Sequence, residues 1–139
     1  MIAAGVMVLH ENSVLLAKRI ETYQGKPTPF GGYWSIFTGA VDKEDLSIAH
    51  AAKRELQEEA QITVELEDLK YAYTIRNPDC ALTIYRYDAP QLLFPVLNYE
   101  HTEFGWFSIS RLKTFPEKMD SKVLECIYSC DNNSSKNIL

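Results

Sequence analysis

The stretch from Lys53 to Ile62, KRELQEEAQI, places three carboxylates within five positions: Glu55, Glu58 and Glu59. At about 100° per residue they fall within an arc of roughly 100° on a helix. Like charges at this spacing repel by a few tenths of a kcal/mol per pair, and Arg54 can offset one of them by reaching Glu58 at i+4. Ala49, Ala52 and Leu56 form an apolar stripe beside the arc, while His50, Lys53 and Gln57 lie on the far side. The acids therefore border the core instead of opposing it. Two readings fit such a segment. One is a solvated acidic face. The other is a set of oxygen donors for a hard divalent cation, which takes carboxylate, carbonyl and water oxygens together.

The residues before the helix favour the second reading. A short strand, WSIFTGAV, breaks at Gly39, and the acids Asp42, Glu44 and Asp45 follow, where they favour the positive end of a helix dipole. Then comes Arg54-Glu55-Leu56-Gln57-Glu58-Glu59. This arrangement resembles the Nudix box, G-x5-E-x7-R-E-U-x-E-E-x-G-U with U bulky and apolar. The matching positions are Gly39, Asp45, Arg54, Glu55, Leu56, Glu58, Glu59 and Ile62. Asp45 replaces the usual Glu, and the spacing to Arg54 is one residue longer. Thr38 replaces the first glycine of the common Gly-Gly, and Gln61 replaces the glycine after the paired acids. None of these departures removes a metal-binding carboxylate. The downstream run YEHTEFGWFSISRL is also similar to the strand and turn that follow the box in this superfamily.

The resemblance implies a hydrolase that cleaves the diphosphate linkage of a nucleoside diphosphate derivative, of nucleoside triphosphate or dinucleotide type, with Mg2+ (or Mn2+) as cofactor. A divalent ion suits a pyrophosphate because it neutralises phosphate oxygens and acidifies water. By position in the motif, Glu55, Glu58 and Glu59 are the expected metal ligands, with a backbone carbonyl at Gly39 or Thr38. Arg54 is expected to orient the glutamates. The general base is left between Glu55 and Glu100, with Glu103 as competitor. Glu100 stands six residues before Trp106, as a downstream metal-binding acid does in MutT-type members. His101 reads as a surface histidine. Arg19 or Lys18, and Arg76, are the expected phosphate contacts, and Tyr23, Phe30, Tyr33 or Tyr73 the rings for base stacking. The opposing expectation for the loop is that Phe30 and Trp34 plug the core. A rival of another class is a non-catalytic Nudix-fold binding or regulatory module, and such modules tend to lose the box glutamates that this chain keeps.

The elements that position these residues can be read along the chain. IAAGVMVL, HENS and VLLAKRI form a hairpin, and ETYQGKPTPFGGYW a Pro/Gly-rich loop. Leu46 to Ala60 is helical. LKYAYTIRN, ALTIYRYDA, LLFPVLN and FGWFSI read as strands, with NPDC as a turn, and SKVLECIYSC as a closing helix. Strands around one central helix, with a second helix at the end, give an α+β chain. Together with the resemblance they imply an α/β/α sandwich with a mixed sheet between helices.

The 139 residues are enough for a single domain with its own core, with an end of about 131–139 expected to fray. Net charge is −5, and no basic stripe tracks a duplex, so a small-molecule nucleotide is the expected partner and duplex nucleic acid is not. The apolar start is too short for a membrane span. Cys80, Cys126 and Cys130 form no C-x-x-C pair, which reads as free thiols in a reducing cytoplasm. The expected state is a monomer or homodimer.

Overall fold

In the computed structural model, residues 1–138 are described, with side chains described through Cys130. The central strand β1 (Ile2–His10) is buried from Ala4 to Leu9. Such a run needs cover on both faces, and two packed layers supply it. Ala4, Val6 and Val8 join Leu15, Ala17 and Phe37 against the helix α1 (Ile48–Ala60). Met7 and Leu9 join Val14, Leu16 and Trp34 against the 3-10 turn Ile109–Thr114 and the helix α2 (Ser121–Ile138). This is the expected α/β/α sandwich. The fraying expected at about 131–139 falls on residues whose side chains lie outside the described ones.

The sheet is mixed. β1 turns into β2 (Ser13–Arg19) and runs parallel to β8 (Cys80–Asp88), which pairs antiparallel with β7 (Lys70–Asn77). β9 (His101–Ser108) lines the other edge of β2. β1 and β2 pair only near their turn, at Leu9–Val14 and His10–Ser13. Beyond it they separate, and the segment Trp34–Ala40 fills the gap: β5 (Trp34–Ser35) bonds to β2, and β6 (Phe37–Ala40) to β1. This insertion carries Gly39 to the foot of α1. The preceding loop folds into a small hairpin of its own, β3 (Thr22–Tyr23) against β4 (Lys26–Pro27), whose tip residues Gln24 and Gly25 both have positive φ.

Two expectations change. LLFPVLN forms no strand. Residues 91–97 run as a strap whose Leu93 and Leu97 pack on the α1 core while Leu92, Phe94 and Val96 are exposed. Its backbone serves the end of α1 instead of a ladder: Val96 N–H donates to Ala60 O (2.9 Å) and Asn98 N–H to Glu59 O (3.3 Å). These bonds satisfy carbonyls that a helix C-terminus leaves open. The helix also starts at Ile48 and not at Leu46, with Asp42, Glu44 and Asp45 preceding it as expected. Ser47 caps the helix, its Oγ accepting from His50 N–H at 3.1 Å.

Candidate active site

Arg54 organises the carboxylates. Its guanidinium grips Asp45 at both oxygens (Nε to Oδ1 3.0 Å, Nη2 to Oδ2 2.9 Å) and donates to the Ala40 carbonyl at 3.0 Å. Its Nη1 donates to Glu55 at 2.9 Å and Glu58 at 3.2 Å. Charge-assisted forks of this kind fix geometry as well as charge. The contact with Asp45 holds that carboxyl below its ordinary range. The extra residue between Asp45 and Arg54 therefore does not part them.

The three glutamates differ by environment. Glu58 is exposed. Glu55 is nearly buried, and burial raises its carboxyl above the usual range against the opposing pull of Arg54. Gly39 lies directly beneath it, and a Cβ at position 39 would overlap the Glu55 carboxylate. Glu59 is fully buried, and among the described residues neither of its oxygens has a hydrogen-bond partner. Burial, with the charges of Glu100 and Glu55, pushes it up to about 9. A buried carboxylate in this state is costly unless it is protonated or faces a cation.

Glu100 reaches this group through the strap. Its N–H donates to Asn98 Oδ1 (2.9 Å), and its carbonyl accepts from Ile20 N–H (2.8 Å). Its charge is felt by Glu55, Glu59 and the phenol of Tyr99. Glu103 is exposed and lies 3.7 Å from Lys18 Nζ, on the other side of the strand alternation. Lys18 also meets Glu117 at 3.3 Å. Lys18 and Arg19 part company because successive residues of a strand face opposite ways. Among the described residues Arg19 has no side-chain hydrogen bond or ion pair, and its charge lowers the carboxyl of Glu59.

Arg19, Phe30, Tyr33, Ser35, Thr38 and Asp120 line one cleft of about 240 Å³. Phe30 is 63% exposed and meets Tyr33 edge-on at 5.8 Å. Trp34, in contrast, is buried between Phe107 and Phe115. So of the two rings weighed as core plugs, Trp34 is one and Phe30 is not. Tyr23 stacks on Tyr99 at 4.8 Å, beside Glu100. Arg76 is not brought to this place: with Tyr73, Lys122 and Glu125 it lines a separate groove beside α2. A groove of about 580 Å³ around Trp34, Phe107 and Phe115 holds none of the clustered acids, and neither does the cleft of Arg19 and Phe30.

Three neighbours of these residues escaped the sequence reading. His101 is not on the surface: it is 5% exposed, edge-on to Phe37 at 5.2 Å, and burial lowers it to about 4, so it is neutral. Tyr99 gave no signal beyond its place next to Glu100. Asp120 caps α2, its Oδ1 accepting from Lys122 and Val123 N–H, and the acid before SKVLECIY was the available sign.

The donor types suit a hard cation, and the orphaned Glu59 carboxylate is the observation that supports one. Among the described residues no three acidic, histidine or cysteine side chains are gathered at one point, since Arg54 draws Glu55 and Glu58 toward itself. Two carboxylates with substrate phosphates and waters satisfy magnesium.

A family model described as the NUDIX domain matches residues 1–126. No protein of curated function matches the sequence. Among solved structures, a MutT NUDIX hydrolase from Burkholderia pseudomallei shares the fold with TM-score 0.74 at 20% identity, over 92% of this chain and 95% of that one. The NUDIX domain of Shewanella oneidensis NrtR, solved with ADP ribose, gives 0.75 at 16% identity, over 96% and 87%. A C. elegans Ap4A hydrolase gives 0.65 at 18%, over 96% and 98%.

Proposed function

We propose that this chain, which belongs to the NUDIX domain family, is a Nudix-type hydrolase: a Mg2+-dependent pyrophosphohydrolase acting on a nucleoside diphosphate derivative of triphosphate or dinucleotide type. The buried carboxylate of Glu59, unpartnered among the described residues and subject to the charges of Glu100 and Glu55, carries this reading. Glu55, Glu58 and Glu59, with the carbonyl of Gly39, would hold the metal. Bound there, magnesium or manganese would neutralise phosphate oxygens and ease attack by water.

The chain's own residues do the rest. Glu100, tied to Asn98 and Ile20 through its backbone, is the base that accepts the proton of the attacking water. Arg54 keeps Glu55 and Glu58 in register with the loop that carries Asp45. Arg19, which forms no ion pair within 4 Å among the described residues, meets the phosphates in the cleft it lines. Phe30 and Tyr33 stack on the base. Three free cysteines suit a reducing compartment such as the cytoplasm. Among the described residues no helix is long and apolar enough to cross a membrane.

The deciding experiment is a panel assay. Phosphate release, after coupled phosphatase treatment, is followed for nucleoside triphosphates, ADP-ribose and dinucleoside polyphosphates, with and without Mg2+. Turnover that requires the metal and is lost in Glu59→Gln is expected. Binding of a panel member with no turnover under any metal would instead identify a binding module.

A further inference from the structure

Seven side-chain nitrogen and oxygen atoms are buried without a partner among the described residues, and five of them belong to Arg19, Glu59 and His101. These three residues are joined by the backbone. His101 faces Arg19 across the β2–β9 ladder, and its N–H donates to the carbonyl of Asn98, whose own N–H donates to the backbone carbonyl of Glu59. The orphaned groups are also complementary. Arg19 Nε only donates, the Glu59 carboxyl accepts at its oxygens, and a neutral imidazole does one of each.

We infer that His101 is a positioning residue for Glu59: its ring N–H, through an internal water that Arg19 Nε also meets, holds the Glu59 carboxylate in place. The inference rests on the reading of Glu59 as a metal-holding carboxylate. An apolar ring would pack against Phe37 without leaving two ring nitrogens buried and unpaired. The bend in the β2–β9 register between Lys18 and Arg19 brings His101 opposite Arg19 and away from the regular alternation. Buried polar groups gathered in this way are satisfied by one another or by an ordered water with two to four partners. Hydrogen bonds that orient a metal-holding carboxylate typically govern metal affinity by about 10–100-fold.

The test compares His101→Phe, His101→Gln and Glu59→Gln. Mn2+ affinity of the free protein is measured by titration calorimetry, alongside thermal melting without metal. His101→Phe is expected to melt at or above the wild-type temperature and to bind Mn2+ about 10–100-fold more weakly. His101→Gln, which keeps a donor, recovers part of the loss. Wild-type affinity in His101→Phe, while Glu59→Gln binds weakly, overturns the inference and leaves the site reading standing. Wild-type affinity in Glu59→Gln overturns both. Should His101→Phe fail to fold, the ring 15N shifts of His101 decide: they change in Glu59→Gln if the network exists, and unchanged shifts overturn it.

Discussion

Arg54 and Asp45, nine residues apart, meet through two parallel hydrogen bonds of 3.0 and 2.9 Å. This fork ties the irregular loop after β6 to the second turn of α1. Arg54 then spends its remaining donors on Ala40, Glu55 and Glu58. One cation thus sets the relative position of the loop and two of the three clustered glutamates.

Lysine cannot reproduce this arrangement, because it has a single charged nitrogen and no planar fork. Arg54→Lys is therefore expected to keep the fold and lose about 10²-fold in kcat/KM, the scale of a small misplacement at a reacting centre. A steady-state comparison with wild type checks it. Retained activity would reduce Arg54 to a surface ion pair.

Gly39 is required by contact, not by backbone conformation, since its Cβ would overlap Glu55. Gly39→Ala should push the Glu55 carboxylate aside, with a loss of the same order, about 10²-fold, in kcat/KM. The far-ultraviolet circular dichroism spectrum should be unchanged. An active Gly39→Ala protein would mean that Glu55 needs no fixed position.

The buried Glu59 predicts how stability varies with pH. Its folded-state pKa, about 9, lies above the ordinary 4.5. The folded state thus holds the proton more tightly than the unfolded one. The stability so contributed is complete below about 4.5 and is lost as pH rises toward 9. Metal-free wild-type protein should melt progressively lower across that window, and Glu59→Gln should lose less over the same range. Mg2+ should restore the wild type alone. Parallel melting curves for the two proteins from pH 5 to about 9 would refute the assignment.

Phe30 and Trp34 separate recognition from packing. Trp34 is buried among aromatic rings, so Trp34→Ala should cost about 3–5 kcal/mol in denaturant unfolding. Phe30 is exposed at the cleft and held at φ 56°, an uncommon conformation for a bulky residue. Phe30→Ala should change the ranking of nucleotide substrates, by up to the about 1–3 kcal/mol of a stacked base, with little change in melting temperature. A lowered melting temperature with an unaltered ranking would make Phe30 a packing residue.

Gln61 ends α1 in the left-handed region, at φ 53° and ψ 37°, with its N–H on Gln57 O. Glycine adopts this conformation without the strain a Cβ brings. Gln61→Gly is expected to stabilise the protein by about 1 kcal/mol in equilibrium denaturation, with catalysis unaltered. A destabilised variant would show that the Gln61 side chain contributes more than its backbone strain costs.

The local pattern carried much of this. Ala49, Ala52 and Leu56 beside Glu55, Glu58 and Glu59 placed the acids at the border of the core, because helical period alone decides which residues share a side. Apolar runs and turn residues likewise marked the hairpin, both helices and strands β7 to β9. The resemblance to the Nudix box joined Gly39 and Arg54 to the same group. Tertiary structure decided what period cannot. LLFPVLN alternates like a strand, yet its backbone caps the end of α1, since the neighbouring strands already pair elsewhere. Lys18 and Arg19, equal as sequence, were separated by strand alternation, and Lys18 went to Glu117. His101 has the composition of a surface residue, but the bend between Lys18 and Arg19 turned it inward. Which glutamate is stripped of every partner depended on how α1 meets β6 and the strap. That is a matter of long-range packing, and it fell to Glu59.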